Sequence, residues 1–291
     1  MSDIRDRAIQ IYDAFTHEHR DRRTLLRQMA ALAGSVAAAE VLIAGIAASP
    51  AAAAIIDPAD PRLITRKGSY DIGPGKSMTG YFAAPRDARG AGAVMVIHEN
   101  RGLTPHIEDV TRRVALGGFY AVAPDFLSDQ GGTPADENAA RDLIGKANYD
   151  AVIASAIGTI ARLRTRDHGN GKAGIIGFCW GGALVNRVAV AAGDALSAGV
   201  AYYGPAPAPE EAIKVQAPLL LHYAGKDERV AATGLPWTEA LKAAGKDVTA
   251  YTYDGVDHAF NNDTSKERYN EAAATLAWER TIAFLHSHLD G

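Results

Sequence analysis

The only cysteine of the chain stands in Gly177-Phe178-Cys179-Trp180-Gly181-Gly182. Before it, Ala173 to Phe178 is an apolar run of strand character. After it, Gly182 to Ala192 is a small-residue run of helix character. Glycines two positions either side let strand and helix approach, so the spacing predicts a sharp turn with Cys179 at its tip. This is the G-x-C-x-G form of a nucleophile elbow. A thiol there projects above the sheet at a helix N-terminus, where the dipole and free N–H groups favour thiolate. A lone cysteine is more often inert core, but the elbow context reverses that reading.

Such a nucleophile needs an orienting acid and a base, in the chain order nucleophile, acid, base. The run Leu219 to Tyr223 ends in a turn at Asp227, 48 residues after Cys179, and His258 follows 31 residues later, in a loop after Val248 to Tyr253. Both partners thus arise from later strand ends on the same side of a sheet. His258 would take the thiol proton, and Asp227 would hold the imidazole tautomer. Of the neighbouring candidates, Asp254 and Asp257 read as loop-shaping residues and Glu228 lies one residue past the strand end. His222 reads as a packed, hydrogen-bonded histidine. His17, His19, His98, His106, His168, His286 and His288 form no metal-binding spacing, and one cysteine excludes both a thiolate metal cage and an intrachain disulfide.

A second strand end carries His98-Glu99-Asn100-Arg101-Gly102-Leu103. The N–H groups of Asn100 and Trp180 are the expected oxyanion donors. A carboxylate at Glu99 is costly at a buried strand end unless partnered. It is expected to hold Cys179 in the resting state; the alternative is a salt bridge to Arg101 or another base. Trp180, Tyr203 and Phe260 are candidate pocket aromatics, beside Arg101.

The elements that must position these residues alternate along the chain. Strand patterns cover Tyr81 to Ala84, Ala93 to His98, Tyr120 to Asp125, Ala173 to Phe178, Ala198 to Tyr203, Leu219 to Tyr223 and Val248 to Tyr253. Helical spacing covers Ile107 to Leu116, Asp150 to Arg164, Gly182 to Ala192 and about Ser265 to Leu289. This alternation argues an α/β fold with a doubly wound, mostly parallel sheet flanked by helices. The loop Gln130 to Asp136 is expected to border the site.

Residues 1–54 precede that domain, which occupies 55–291. Asp21-Arg22-Arg23-Thr24-Leu25-Leu26-Arg27 resembles a twin-arginine export signal, followed by an Ala-rich stretch and small residues at Ala51-Ala52-Ala53-Ala54. Ile4, Ala8, Ile11, Tyr12 and Phe15 fall on one helical face, so the alternative is an uncleaved helical arm on a cytoplasmic protein. The stretch 29–56 is a marginal membrane span, interrupted by Glu40 and Pro50, and no stable membrane insertion is expected after residue 55. Over the 291 residues, 30 basic side chains against 34 acidic ones give a net charge of −4, so nothing points to nucleic acid as partner. Oligomeric state leaves no readable mark.

Glu99 in an H-E-x-x-G loop, Cys179 in G-F-C-W-G-G, Asp227 in A-G-x-D and His258 in H-x-F resemble the dienelactone hydrolases (carboxymethylenebutenolidases). The likeness runs from about Tyr81 to Leu289. It implies an α/β-hydrolase fold, a triad of Cys179, His258 and Asp227, and a glutamate, Glu99, that protects the thiol until substrate displaces it. It implies no metal or organic cofactor. The family's two substrate-gripping arginines are missing: the chain reads Leu127-Ser128-Asp129 at one place and Phe260-Asn261-Asn262 at the other. Arg101 is the candidate replacement. The expected activity is hydrolysis of a small ester or lactone through an acyl-thioester. An acyltransferase with the same triad, a non-catalytic ligand-binding fold and a redox-sensing cysteine are the rival readings.

Overall fold

Residues 2–17, 20–46 and 55–291 are described by a computed structural model. In chain order the helices are α1 (Ser2–His17), α2 (Arg22–Ala33), α3 (Val36–Ile46), α4 (Pro105–Leu116), α5 (Glu137–Gly145), α6 (Tyr149–Arg164), α7 (Trp180–Ala191), α8 (Glu228–Ala243) and α9 (Glu271–Leu289). The strands are β1 (Leu63–Gly73), β2 (Lys76–Pro85), β3 (Ala91–Ile97), β4 (Tyr120–Pro124), β5 (Gly169–Phe178), β6 (Ala198–Tyr202), β7 (Leu219–Ala224) and β8 (Val248–Tyr253). They form one sheet in the order β1-β2-β4-β3-β5-β6-β7-β8. β3 to β8 run parallel, and β2 is antiparallel to both its neighbours.

The unbroken apolar runs follow from burial on both faces. In β3, Val94 and Val96 enter a core shared with α4 and α9, whereas Ala93, Met95 and Ile97 enter a second core shared with α6, α7 and α8. In β5, Ile176 and Phe178 face the first core, Ala173 and Ile175 the second. A fully buried Val, Ile, Met or Phe contributes roughly 1.5–3 kcal/mol, so the central strands anchor the fold.

Within residues 55–291 the sequence reading did not anticipate β1, α5 or α8, and α9 starts elsewhere. β1 was not anticipated: its residues Ile64 to Asp71 are mixed polar and apolar, and the strand pairs on one side only, with β2. α8 contains Pro236. Proline inside a helix costs about 3 kcal/mol, but Val230, Trp237 and Leu241 of the same helix are fully buried in the second core, which outweighs it. α9 begins at Glu271 rather than near Ser265. Asn270 caps it by accepting from the N–H of Ala273 at 3.0 Å. The preceding residues 259–270 are instead turns that bury Asn261, Asn262, Thr264, Ser265 and Arg268.

The N-terminal helices hold a separate apolar cluster: Ala8, Ile9, Tyr12, Phe15, Leu25, Met29, Ala39 and Ile46. The buried face of α1 therefore passes through Ile9, and Ile4 is 48% exposed. The shift arises because α1 packs against α2 and α3 and against the loops at the end of the sheet at once. No single helix among the described residues is long and apolar enough to cross a membrane; α2 and α3 meet that test only together, with a 108° bend between them. The Ala51 to Ala54 segment, His19 and the side chain of His17 lie outside the described residues.

Candidate active site

β5 ends in the tight turn that the glycine spacing predicts. Cys179 has φ +56° and ψ −112°, a left-handed conformation rare for a residue with a Cβ. The turn is so close that a Cβ on Gly181 would stand 2.5 Å from the carbonyl oxygen of Ile97, and one on Gly177 2.2 Å from that of Gly181. The strain is held by Cys179 N–H donating to the Tyr202 carbonyl (3.0 Å) and by α7 starting at once, with Ala183 N–H donating to the Cys179 carbonyl (3.0 Å). Trp180 is the first residue of α7, so its N–H has no acceptor within the helix.

His258 reaches this thiol from the loop after β8. Its Nδ1 lies 2.5 Å from Asp227 Oδ2. Asp227 is the N-cap of α8, its Oδ1 accepting from Val230 N–H at 3.1 Å. Burial alone would drive the His258 imidazole towards neutrality. The Asp227 carboxylate, and the charge and hydrogen bond of Cys179, overcome it and push the pKa up to about 10. Burial likewise opposes the charged form of Asp227. The charge and hydrogen bond of His258 win, with help from Arg229 and the Val230 N–H, and hold it at about 2. The arrangement therefore favours a charged pair beside the thiol. Cys179, Asp227 and His258, far apart in sequence, are brought into one cluster.

Glu99 lies at the same cavity. Its Oε2 accepts from Asn262 Nδ2 at 2.8 Å, while the Arg101 guanidinium is engaged elsewhere, by Glu137 and by Tyr12 Oη at 2.8 Å. The ion pair between Glu99 and Arg101 is thus replaced by an amide contact. Asn100 lies at the cavity wall, and its side-chain Nδ2 donates to the Thr16 carbonyl at 3.2 Å.

The loop carrying Glu99 to Leu103 is braced from below. Buried His98 donates from Nδ1 to the Glu99 carbonyl (2.7 Å) and accepts the Phe126 N–H at Nε2 (3.3 Å). Burial holds its pKa below the ordinary value. Thr133 Oγ1 accepts the Leu103 N–H (2.9 Å) and donates to Asp125 Oδ1 (2.9 Å). The 130–136 loop thus reaches the site by supporting its wall.

The other expected pocket residues sit differently. Trp180 stacks on His98, centroids 5.3 Å apart at 12°. Tyr203 and Phe260 are fully buried beneath the site, with the Tyr203 ring edge-on to His258 at 5.0 Å. Of the four, only Arg101 lines the cavity over Cys179, which measures about 30 Å³. Its remaining walls are Tyr12, Thr16, Glu99, Asn100, His258, Ala259 and Arg268. Tyr12 and Thr16 belong to α1, and Arg268 to the turns before α9. Sequence reasoning missed all three; the only signal was the amphipathic face of residues 4–15. Buried His222 bridges Tyr253 Oη (2.9 Å) and Thr281 Oγ1 (3.1 Å) behind the sheet. Among the described residues no group of three or more His, Cys, Asp or Glu side chains is arranged to hold a metal.

Comparison with known proteins follows the same residues. Positions 78–289 match the dienelactone hydrolase family. A protein of Escherichia coli K12, provisionally named a carboxymethylenebutenolidase, is 30% identical over 262 residues, covering 83% of this chain and 94% of its own. A Methylorubrum extorquens relative with the same provisional name is 32% identical over 219 residues, covering 69% of this chain and 73% of its own. The crystal structure of a provisionally assigned dienelactone hydrolase from Klebsiella pneumoniae superposes with a TM-score of 0.69 at 30% identity, covering 76% of this chain and 98% of that one. A dienelactone hydrolase-like promiscuous phosphotriesterase from metagenomic libraries shares the fold, with a TM-score of 0.67 at 21% identity.

Proposed function

The chain belongs to the dienelactone hydrolase family of ester and lactone hydrolases, and on that premise we propose that it cleaves a small ester or lactone with Cys179 as nucleophile. The carrying observation is the strained Cys179 beside a histidine that Asp227 holds at 2.5 Å. The Cys179 thiolate adds to the carbonyl carbon, and the N–H groups of Trp180 and Asn100 receive the developing oxyanion. His258, protonated, gives its proton to the departing alkoxide as the carbon–oxygen bond breaks, leaving an acyl-thioester. Water then adds to the thioester carbonyl while His258 takes its proton, and thiolate leaves. Glu99, fixed by Asn262, is the resting-state partner of the thiol. The guanidinium groups of Arg101 and Arg268 at the cavity wall favour a polar acyl group over a fatty one.

The test is turnover of p-nitrophenyl esters and small lactones by wild type and Cys179→Ala, with mass spectrometry of enzyme quenched during turnover. An acyl adduct on Cys179 and loss of turnover in the variant are expected. Undiminished turnover by Cys179→Ala would overturn the mechanism.

For location, the proposal is export through the twin-arginine-like segment. Arg22 and Arg23 occupy the first turn of α2 and are exposed, and their guanidinium groups form no hydrogen bond or ion pair with the described residues. Cations are disfavoured at that helix end, so neither packing nor helix stability accounts for them. N-terminal sequencing of the protein from its native cell tests this; a cytosolic protein that begins near Met1 would rule export out.

A further inference from the structure

Cys179 is only 4% exposed, and the cavity over it is narrow, about 30 Å³. What closes it is α1. Tyr12 and Thr16 form its outer wall, and neither lies within the stretch that matches the family, which starts at residue 78.

The polar ties of α1 fall on the loops that carry the chemistry. Arg5 reaches Asp257, next to His258, at 3.4 Å. Asp6 reaches Lys226, next to Asp227, at 3.2 Å. Asp13 pairs with Arg268 at 3.3 Å, Tyr12 Oη with Arg101 at 2.8 Å, and the Thr16 carbonyl with Asn100 at 3.2 Å. The Arg141 guanidinium covers the Phe15 ring at 4.1 Å. The outer ties are a third exposed at Arg5, Asp6 and Lys226, so salt screens them. A larger groove of about 640 Å³ runs along the other flank of α1, but it meets Asp227 and His258 and does not include Cys179. A substrate lying there faces the wrong side of the imidazole.

We propose that α1, for as long as it stays attached to the chain, is a displaceable roof of the active site, which narrows access to Cys179 and, through Tyr12 and Thr16, limits the size of acyl group admitted; export with cleavage of the leader would release that roof. The inference rests on Cys179 being the reacting atom. Its test reads access to the thiol directly, so failure of the roof and failure of the nucleophile give different results.

Cys179 is the only thiol in the chain, so its alkylation is followed by intact mass. Rates are measured with a small reagent, iodoacetamide, and a bulky one, N-pyrenylmaleimide, each relative to free glutathione. The full-length proteins are wild type, Arg5→Ala/Asp6→Ala, Lys226→Ala and Tyr12→Ala. In wild type the bulky reagent is expected to be excluded far more strongly than the small one. Loosening the outer ties is expected to raise its rate by about tenfold, equivalent to about 1.4 kcal/mol in the opening equilibrium. Raising NaCl from about 0.05 M to about 0.5 M is expected to act in the same direction on wild type. Lys226→Ala breaks the Asp6 tie without altering α1, which separates release of the roof from damage to the helix. Tyr12→Ala is expected to move the best p-nitrophenyl ester to a longer acyl chain. Equal relative rates for the two reagents, unchanged by any variant and by salt, would overturn the roof. Hydrolysis that survives Cys179→Ala would overturn the nucleophile and leave the alkylation result standing.

Discussion

Asn262 Nδ2 donates to Glu99 Oε2 over 2.8 Å, tying the loop after β8 to the loop after β3. Asn262 is itself fixed, its Oδ1 accepting from Thr264 N–H at 3.1 Å and Thr264 Oγ1 at 2.6 Å. Asn262→Ala leaves the carboxylate without that donor and the Thr264 donors without their acceptor. Losing a hydrogen bond to a charged, partly buried group costs roughly 1.5–3 kcal/mol. Calorimetry should show a lower Tm. Turnover of the best ester should fall by about tenfold as Glu99 moves from its place beside Cys179. Wild-type Tm and turnover would mean that Asn262 does not fix Glu99.

The pair of His258 and Asp227 predicts a stability profile. The imidazole is raised from its ordinary 6.5 to about 10. Its contribution is complete below pH 6.5 and lost as pH rises through about 10. Asp227 is lowered from 3.8 to about 2, so its contribution is complete above pH 3.8 and lost as pH falls through about 2. Unfolding by urea should show both contributions complete between about pH 4 and 6.5. His258→Gln should flatten the alkaline limb. An alkaline limb that persists unchanged in the variant would assign the proton elsewhere.

Asp227→Asn keeps the shape of the acid and removes the charge that holds His258 as imidazolium. Orienting carboxylates of such triads are worth about 10⁴ in kcat, so a loss of about 10³- to 10⁴-fold is expected in steady-state turnover. A loss below tenfold would point to another acid, with Asp13 and Asp257 as the nearby candidates.

Thr133 acts through the cavity wall. Thr133→Val deletes the hydroxyl's bonds to Leu103 N–H and Asp125 Oδ1 with little change of volume, while the residue's own N–H still donates to Asp125 Oδ2. On the proposed mechanism the loop bearing the Asn100 N–H should loosen, lowering kcat by about tenfold with KM little altered, because an oxyanion donor acts mainly in the transition state. Thr133→Ser keeps the hydroxyl and should restore most of kcat. Failure of serine to rescue would assign the loss to packing.

Gly181 tests the closeness of the elbow. Gly181→Ala forces a Cβ to within 2.5 Å of the Ile97 carbonyl oxygen and 2.6 Å of that of His98. Both obstacles are backbone at the end of β3, so neither rotates away. Destabilisation by about 1–3 kcal/mol is expected in urea titration, the cost of forced overpacking in a core. Wild-type stability would show that β3 and α7 part easily.

The parallel strands were legible because burial on both faces writes itself as continuous apolar runs, as in Ala93 to Ile97. The elbow was legible because backbone crowding at Gly177 and Gly181 admits no side chain. Residues whose place depends on tertiary contact left weaker marks. Arg268 reads as a surface cation in Lys266-Glu267-Arg268, and only the turns after Phe260 carry it inwards. Tyr12 reads as one apolar position among several on an amphipathic helix; its partner Arg101 lies 89 residues away. The proline in α8 hid a helix that its buried tryptophan sustains.

The apolar cluster of α1, α2 and α3 shares no buried residue with either core that flanks the sheet. Substitutions inside that cluster therefore reach the strands that hold Cys179, Asp227 and His258 only through the loops to which α1 is tied. Two walls of the reaction chamber stand on a part of the chain that can drift, lengthen or be exchanged while the sheet keeps its stability. Diversification at Tyr12 and Thr16 leaves the crowding at Gly177 and Gly181 that shapes the elbow in place, and a library built there samples new chambers over the same nucleophile turn.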